Sequence, residues 1–595
     1  MNDVHVNTER TDSLTSPVNS TCSTQRWRDG TVFVEGIIQR VGDLTGLQAR
    51  EALIQVLDRD GPSGLAQVQG DFVAIIETAH EIYAYKSLTS QFQIFYRERD
   101  RVVANRLYTF WDEDSVWNQD YFARHCFIVP GHQCLSVETP LVDVQRVLPG
   151  ELVTFRSDRV TRQQLVQRQY RYNLDRNQSR EEMAPEILRL LRDSVETRLQ
   201  ARPDAEICVE ISGGLDSSFI ACLLGEHPKR PIRGVMFSQP DIPSHAVSEQ
   251  YAREVAHRYD IDLTVLPPEA LPRGMPESPS YSDEPSDFFW YGDIFSRAVA
   301  EIAAPGSYIF TGYGADQLFL RSPAFLPYLL EHGEYSLWKQ TLPGVSRLLS
   351  RGQLNLSWQC LLSLIPAAWH RALLNTPGLS QLSAWDISDV NMDRMLTNEV
   401  SWLRAGKGLN VYSQERRQAE ADLFSQGIIC DDWGYFSAPR TVCQAHFDAK
   451  GLVDASPFCD LALLDYIYNE VSAFLIHDFE VPYKSLLRQA QAGVVPESLR
   501  QRKSDTFVFN SFQLRYIEDC RAQFDELLQE ASSDWIDLQK VQLSLEQLSF
   551  GMATSDTRSV VALLGYLQWQ KNFMMLAPTL QKQPEAEFHR AELRH

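Results

Sequence analysis

The 595-residue chain lacks several signals that would place it in a common class of proteins. Its polar N-terminus, "MNDVHVNTERTDSLTSPVNSTCSTQ", has no apolar signal-peptide core, and no run of about eighteen consecutive apolar residues occurs. Lys and Arg number 56 against 78 Asp and Glu, so a net charge of −22 argues against neutralising nucleic-acid phosphates or anionic lipid. These absences predict a cytoplasmic protein with a disordered start, no membrane span and no nucleic-acid partner.

Paired cysteines and the common catalytic strings are missing as well. The ten cysteines, spread from Cys22 to Cys520, include no CxxC pair. This excludes a regular zinc site or a secreted disulfide ladder and predicts reduced, mostly buried thiols. The strings HExxH, GxSxG and GxxxxGK[ST] do not occur. The chain is 44% hydrophobic, which is enough apolar content for more than one packed core.

The pattern of strands and helices divides the chain into three regions. Short β-rich runs such as "TVFVEGIIQRV", "GDFVAIIE" and "EIYAYKS" are separated by turn residues and interrupted by one helix, "REALIQVLDRD". Beyond about residue 320 the pattern is largely helical. We therefore predict a disordered tail over 1–25, a sheet domain over 26–170 and a second domain over 171–595.

The second domain opens with a strand, a glycine turn, a helix and another strand. "EICVEI" leads through "SGGLD" into "SSFIACLLGE" and then "IRGVMFS", which is the order of a βαβ unit in a parallel sheet. The turn therefore lies at the carboxyl end of a strand, where open α/β sheets bind ligands.

The residue types in this turn suit a phosphate chain and its metal. Gly213 and Gly214 allow positive φ and close approach of an anion to the amides that open the next helix. Hydroxyl donors are added by Ser212, Ser217 and Ser218. Asp216 would repel phosphate, so its natural role is to hold a neutralising Mg²⁺. The alternative is a turn that only caps a helix, with Asp216 on the surface, but the SGGxDS spacing favours the nucleotide site.

At these residues the chain resembles the N-type ATP pyrophosphatases, whose loop reads SGGxDS, and within them the asparagine synthetase family. "YIFTGYGADQLF" is similar to a GxGxDxxF loop that carries a second metal carboxylate. "VPYKSLLRQAQAGVVPESLRQRKSDTF" resembles a K-x-x-L-R helix followed by a P-x-x-(I/L)-x-x-R-x-K segment. The resemblance implies an α/β fold: an N-terminal β-rich, degenerate amidotransferase (Ntn-like) domain, then an adenine nucleotide alpha hydrolase-like parallel-sheet domain with a large helical extension.

The resemblance also implies ATP and Mg²⁺ as cofactors. Members activate a carboxylate as its acyl-adenylate, release pyrophosphate and let an amine attack. Asp216 and Asp316 become the metal ligands, and Lys503 stabilises the α-phosphate and the oxyanion unless it is a solvated surface lysine. Lys484 and Arg488 either reach pyrophosphate or extend from an amphipathic helix. ATP contacts are implied for Ser212, Gly213, Gly214, Asp216, Ser217, Ser218, Met236, Gly312 and Lys484.

A live glutaminase reaction is not expected in the front domain. Asparagine synthetases use an N-terminal cysteine to take ammonia from glutamine, whereas the second residue here is Asn2 and no NGE string occurs. Exposure of Cys22 would need processing, and the polar "STQRWRDG" after it does not predict the family's buried first strand. The front domain is then a scaffold, and the substrate itself brings the amine.

Relatives without glutaminase chemistry include β-lactam synthetases and lasso-peptide cyclases. "TGYGAD" resembles the β-lactam synthetase loop, which implies that Tyr313 is a general base paired with Asp454 of "LVDASPF". The alternatives are an aromatic lid over adenine for Tyr313 and a helix cap for Asp454. Asp454 lies 141 positions after Tyr313, and the interval carries helical, Trp-bearing sequence, as it does in lasso cyclases. An enlarged helical wall suits a folded peptide substrate. The alternative is that these helices are ordinary core or a dimer face. The Asp-Glu-Pro stretch at 283–285 is expected to shape the same pocket.

The sequence therefore predicts a lasso-peptide cyclase that acts on a leader-freed core peptide, with a leader-binding protein and a leader peptidase as accessory partners. The rivals in the same class are a β-lactam synthetase-like or other small-molecule amide synthetase and an ammonia-using asparagine synthetase. A non-catalytic ATP-binding scaffold is the alternative of another class.

Overall fold

The described residues form three β-sheets and a large set of helices. A computed structural model describes residues 22–122, 137–166, 168, 172–227, 230–239, 242–286, 289–321, 325–349, 352–363, 402–403, 443–478, 482–503, 509–531, 535–552, 557–582 and 590–592. The mixed α/β class predicted from the sequence is confirmed, with an antiparallel sheet first and a parallel sheet after it.

The strands of the described residues are β1 Cys22–Trp27, β2 Gly30–Val41, β3 Leu44–Thr45, β4 Val68–Glu77, β5 Ile82–Lys86, β6 Phe95–Arg97, β7 Val102–Ala104, β8 Gln145–Arg146, β9 Glu151–Phe155, β10 Val160–Gln164, β11 Ile207–Glu210, β12 Ile232–Phe237, β13 Asp262–Leu266, β14 Tyr308–Phe310, β15 Val453–Ala455 and β16 Arg590–Glu592.

The α-helices of the described residues are α1 Gly46–Asp60, α2 Gln119–Tyr121, α3 Arg180–Ala201, α4 Leu215–Gly225, α5 Pro243–Arg258, α6 Phe289–Tyr291, α7 Arg297–Ile302, α8 Ala315–Phe319, α9 Phe325–Glu331, α10 Tyr335–Leu349, α11 Gln353–Ser363, α12 Gln444–Phe447, α13 Leu461–Asn469, α14 Ala473–Ile476, α15 Ser485–Ala490, α16 Glu497–Arg500, α17 Phe509–Asp519, α18 Arg521–Glu530, α19 Leu538–Ser549 and α20 Thr557–Leu580.

The front domain is built on an antiparallel sheet in the order β1-β2-β4-β5-β9-β10, with β3 paired to β2. Successive residues of β2 point to opposite faces, so Val32 and Val34 pack with helix α1 while Phe33 joins a core on the other side. A smaller antiparallel sheet, β16-β7-β6-β8, adds its own strands to this region. The strands predicted from "TVFVEGIIQRV", "GDFVAIIE" and "EIYAYKS" are confirmed as β2, β4 and β5, and the helix predicted from "REALIQVLDRD" is confirmed as α1.

The start of the front domain corrects one expectation. The segment after Cys22 was not expected to form a strand, and residues 1–25 were expected to be a disordered tail. In the structure β1 begins at Cys22 and pairs antiparallel with β2, from Cys22 opposite Glu35 to Trp27 opposite Gly30. An edge strand needs burial on one side only, and here Ser23 and Trp27 supply it while Thr24 and Arg26 face outward. Residues 1–21 lie outside the described residues.

The second domain contains a five-stranded parallel sheet in the order β13-β12-β11-β14-β15. From β11 the chain passes through α4 to β12 on one side, while β14 lies on the other side of β11. The direction of winding thus reverses between β11 and β14, and at such a point the loops leave a crevice at the carboxyl edge of the sheet. The predicted βαβ unit is confirmed, whereas the helical pattern beyond residue 320 did not predict β15.

Two adjacent buried carboxylates join the domains. Glu284 accepts hydrogen bonds from the Arg146 guanidinium, at 2.9 Å for one of its nitrogens, and from the Tyr121 hydroxyl at 2.7 Å. Asp283 accepts from the Leu107 backbone N–H at 2.7 Å. These contacts give both carboxylates a place at the junction with the front domain, and the expectation that the Asp-Glu-Pro stretch shapes the substrate pocket stays a prediction.

The stability of this junction is expected to depend on pH. Burial raises the pKa of Asp283 to about 6, although Arg106 and three hydrogen bonds oppose the shift. A carboxyl whose folded pKa exceeds its unfolded value of about 3.9 stabilises the fold at low pH and loses that contribution as the pH rises to about 6. The free energy of unfolding should therefore fall relative to that of Asp283→Asn between pH 4 and 6. Urea denaturation at several pH values measures this difference, and a constant difference would contradict the assignment.

No helix in the described part of the chain combines the length and the hydropathy needed to cross a lipid bilayer.

Candidate active site

The glycine turn after β11 has a shape that only glycine permits at one position. Gly213 has φ of +70°, in the left-handed region, and Gly214 is the N-cap of α4. A Cβ added at Gly213 would lie 2.0 Å from the carbonyl oxygen of Ser248 in α5. The turn therefore packs directly against the backbone of α5, and the amino end of α4 opens into the crevice.

Serine hydroxyls hold this turn in shape. The Ser217 hydroxyl accepts a hydrogen bond from the Ser212 backbone N–H at 3.0 Å and lies 2.9 Å from the Ser212 hydroxyl. The Gly214 backbone N–H donates to the Ser212 hydroxyl at 3.2 Å. Ser218 is fully buried inside α4. These contacts give Ser212 and Ser217 a structural role, and the predicted contacts of all three serines with phosphate stay predictions.

The second predicted loop, between β14 and α8, presses against the first. A Cβ at Gly312 would lie 2.6 Å from the backbone nitrogen of Ser217 and 3.0 Å from the Cβ of Asp216. Gly314, with φ of +91°, is the N-cap of α8, and Asp316 lies in the first turn of that helix. Two loops that are about 100 residues apart in the chain thus meet at the carboxyl ends of neighbouring strands, as the sequence predicted.

One buried lysine joins the two predicted metal carboxylates. Lys484 Nζ lies 2.5 Å from Asp216 Oδ2 and 2.5 Å from Asp316 Oδ1. The Lys484 side chain is 1% exposed, whereas the exposed fractions of Asp216 and Asp316 are 20% and 57%. Burial of the ammonium lowers the pKa of Lys484, but the two carboxylates outweigh this effect and hold it above its ordinary value.

These residues fit a magnesium ion. Mg²⁺ prefers oxygen ligands and in nucleotide enzymes takes one or two carboxylates, with phosphates and water completing its coordination. Asp216 and Asp316 provide two carboxylates that converge on one point, which the Lys484 ammonium occupies. Both carboxylates lie in the first turns of helices, α4 and α8, whose amino ends favour anions. These two carboxylates and the glycine turn are the residues that would hold the metal and the phosphates of a nucleotide.

Two residues from the C-terminal part of the chain, neither of them assigned to the site from the sequence, donate hydrogen bonds to the glycine turn. The Arg502 guanidinium donates a hydrogen bond to the Gly213 carbonyl, and the Gln491 side chain donates to the Leu215 carbonyl at 2.9 Å. Arg502 lies in the string that resembles the family segment, so its type and position gave a signal. Gln491 gave none, because its contact spans 276 residues. Arg488, assigned to pyrophosphate or to a helix surface, donates to the Tyr483 carbonyl at 2.9 Å.

Lys503 directly follows Arg502, and its side chain is exposed. The sequence therefore reads R-K at this point, where the family segment reads R-x-K, so the lysine lies one position earlier than the resemblance requires. Residues 504–508, which continue this segment, lie outside the described residues. The predicted role of Lys503 at the α-phosphate stays a prediction.

The remaining predicted residues occupy different places around the sheet. Asp454 lies in β15 opposite Ile309, on the face of the parallel sheet that does not pack against α4. Tyr313 lies beyond the end of β14, is 39% exposed, and its carbonyl is 3.9 Å from Cys459 Sγ. Met236 is buried in the core beneath α4 and α5. The general-base pair of Tyr313 and Asp454 and the adenine contact of Met236 stay predictions.

A methyl group at Gly213 is expected to disrupt the turn. In Gly213→Ala the new Cβ collides with the Ser248 carbonyl and the backbone is strained by its positive φ, so nucleotide affinity should fall at least about tenfold. Gly274→Ala is the matched control, because Gly274 has φ of +68° but nothing within 4 Å of its Cβ position. Calorimetric titration with an ATP analogue and Mg²⁺ measures the affinities. Equal affinities in the two variants would show that the collision has no consequence.

Comparisons with known proteins relate the chain to one family and to two solved structures. Residues 186–571 match the family model for asparagine synthase. Two solved structures are also similar. "Structure of the allosteric regulatory enzyme of purine biosynthesis" has 11% identity over 40% of this chain and 61% of that chain, with a TM-score of 0.16. Glutamine phosphoribosylpyrophosphate amidotransferase from B. subtilis, complexed with ADP and GMP, has 10% identity over 41% and 73%, also with a TM-score of 0.16. This chain thus covers less than two thirds of the first structure's length.

The family follows from the family model alone. Because the matched residues, 186–571, make up about two thirds of this chain, the protein belongs to the asparagine synthase family.

Proposed function

We propose that this protein is an ATP-dependent cyclase that forms a macrolactam in a peptide, as lasso-peptide cyclases do. Its family supports an ATP-dependent amide-forming synthetase in general. The finer proposal is that it adenylates an Asp or Glu side chain of a leader-freed peptide and joins it to the peptide's own α-amine. The observation that supports the ATP-dependent step is that the carboxylates of Asp216 and Asp316 converge on the same point, where both contact the Lys484 ammonium.

The activation step is assigned to the crevice between β11 and β14. Asp216 and Asp316 would hold Mg²⁺, which supplies neutralising charge for the pyrophosphate that leaves. The backbone amides at the start of α4 would donate to the phosphate chain, because the amino end of a helix favours anions. Lys484 brings a buried positive charge to the same point, where low exposure strengthens its attraction to phosphate oxygens. Each of these groups favours separation of pyrophosphate from the activated carboxylate.

The amide-forming step needs a group that removes a proton from the incoming ammonium. Tyr313 lies on the loop that carries Asp316 and is partly exposed, so an amine that enters the crevice can reach it. A phenol with an ordinary pKa of about 10 needs a neighbouring carboxylate to act as a base at neutral pH. We propose Asp454 for this role, because β15, which carries it, pairs with β14, the strand that leads to Tyr313.

A peptide substrate is supported by the helices that follow the Asp316 loop in the chain. Helix α8 ends at Phe319, and α9 follows it at Phe325 and packs with α10 and α11 into a separate small core. This layer follows directly after the Asp316 loop, within the long interval between Tyr313 and Asp454. A substrate that must be held in a folded shape needs more contact surface than a small amino acid does.

The experiment offers the purified chain ATP, Mg²⁺ and candidate substrates, and measures pyrophosphate release together with product mass. A linear core peptide with a free α-amine and an acidic side chain should release pyrophosphate and lose the mass of one water. The same peptide with an acetylated α-amine is the matched control: it should still be adenylated but should not cyclise. Pyrophosphate release with aspartate and ammonia alone, or with a small β-amino acid alone, would replace the peptide proposal with a rival synthetase. Nucleotide binding without pyrophosphate release for any substrate would favour the scaffold.

A further inference from the structure

The Lys484 ammonium occupies the space between the two carboxylates that are assigned to the metal. Its Nζ makes contacts of 2.5 Å to Asp216 and to Asp316, and its side chain is almost completely buried. Asp316, in contrast, is more than half exposed. A divalent ion that binds both carboxylates would therefore have to displace this ammonium or share the space with it.

The backbone fixes the lysine in this position. Lys484 has φ of +54°, in the left-handed region that a non-glycine residue rarely adopts, and it is the N-cap of α15. Its carbonyl accepts a hydrogen bond from the Arg488 N–H at 2.9 Å, and α15 contributes Leu486 and Leu487 to the core that contains α3. Such strain persists where the surrounding structure determines it, and it is common at ligand sites and switches.

We propose that Lys484 is a built-in counter-ion that excludes free Mg²⁺ from the nucleotide-free site, so that the metal enters only together with the nucleotide. This inference deepens the proposed function and rests on binding of metal and nucleotide at this site. Lys484 thereby sets the order of binding and keeps Asp216 and Asp316 together before the ligand arrives.

The charges explain why the nucleotide is required. Two carboxylates and one ammonium carry a net charge of about −1, and a dication added alone would lie against the ammonium in a partly buried site where repulsion is strong. A triphosphate brings several negative charges with it. The ammonium can then shift to phosphate oxygens and leave both carboxylates to the metal, which agrees with the ATP contact predicted for Lys484.

The test counts bound Mn²⁺, as a magnetic substitute for Mg²⁺, by electron paramagnetic resonance without nucleotide. Wild type should bind no Mn²⁺ at this site up to the highest concentration tested, whereas Lys484→Met should bind one ion with an affinity at least about tenfold above that detection limit. The site should disappear in Lys484→Met combined with Asp216→Asn. Lys450→Met is the matched control, because Lys450 donates to the Ala300 carbonyl and should behave as wild type. Lys484→Gln replaces Lys484→Met if the latter does not fold, as judged by circular dichroism.

Two results would overturn the inference: a wild-type Mn²⁺ site without nucleotide that Asp216→Asn removes, or folded Lys484→Met and Lys484→Gln variants that gain no site. A separate arm adds Mn²⁺ with a non-hydrolysable ATP analogue to wild type, where one bound ion is expected. Failure of that arm alone contradicts the proposed use of nucleotide, while the nucleotide-free comparison still decides whether Lys484 excludes the metal.

Discussion

Asp216→Asn is expected to lower the rate of pyrophosphate release by about 10²- to 10³-fold, which corresponds to ~3–4 kcal/mol of barrier. The substitution keeps the size of the side chain but removes a charged oxygen ligand where Asp216 and Asp316 converge. The loss should appear mainly in kcat if the metal stabilises the charge that develops on the leaving group. Steady-state kinetics with a coupled pyrophosphate assay measures it.

The control for this prediction is Asp262→Asn. Asp262 is an exposed carboxylate at the start of β13, at the amino edge of the same sheet, so its removal changes the net charge equally without touching the crevice. Activity should stay within about twofold of wild type, as for surface substitutions in general. Asp216→Asn with wild-type kinetics would remove this residue from the site.

Glu284→Ala is expected to destabilise the protein by about 3–5 kcal/mol, because it leaves the Arg146 guanidinium as an uncompensated buried charge. Neither side chain of this pair is exposed. The hydrogen bond from the Tyr121 hydroxyl is lost as well. Chemical denaturation followed by tryptophan fluorescence measures the free energy of unfolding.

Two comparisons separate burial from charge at this junction. Glu186→Ala removes one partner of an exposed pair with Arg189 on α3 and should cost less than about 1 kcal/mol. Arg146→Met combined with Glu284→Leu removes both charges and should recover most of the lost stability. Equal losses in Glu284→Ala and Glu186→Ala would show that the buried pair does not hold the domains together.

Local patterns predicted the parts of the fold that depend on local sequence. The apolar alternation of β2 and β4 and the order of β11, α4 and β12 follow from periodicity alone, because side-chain direction repeats every two residues in a strand and every 3.6 in a helix. The SGGxDS turn was recognisable because its glycines and its aspartate are close together in the chain.

Long-range pairing determined the parts that the sequence did not predict. The polar segment of β1 becomes a strand because β2 offers it a free edge. The short β15 becomes a strand because β14 offers it a free edge in the same way. The contact of Lys484 with Asp216 spans 268 residues, and its geometry follows from the position of α15 against α3. The family segment suggested which charged residues matter, but it did not indicate that Arg502 donates a hydrogen bond to the glycine turn.

The most direct test of the site is the position of Mn²⁺ in a crystal of the protein with a non-hydrolysable ATP analogue. The account predicts an anomalous density peak within coordination distance of carboxylate oxygens of both Asp216 and Asp316, with Lys484 moved to the phosphates. A peak elsewhere, with the Lys484 ammonium still between the two carboxylates and the nucleotide bound, would contradict it.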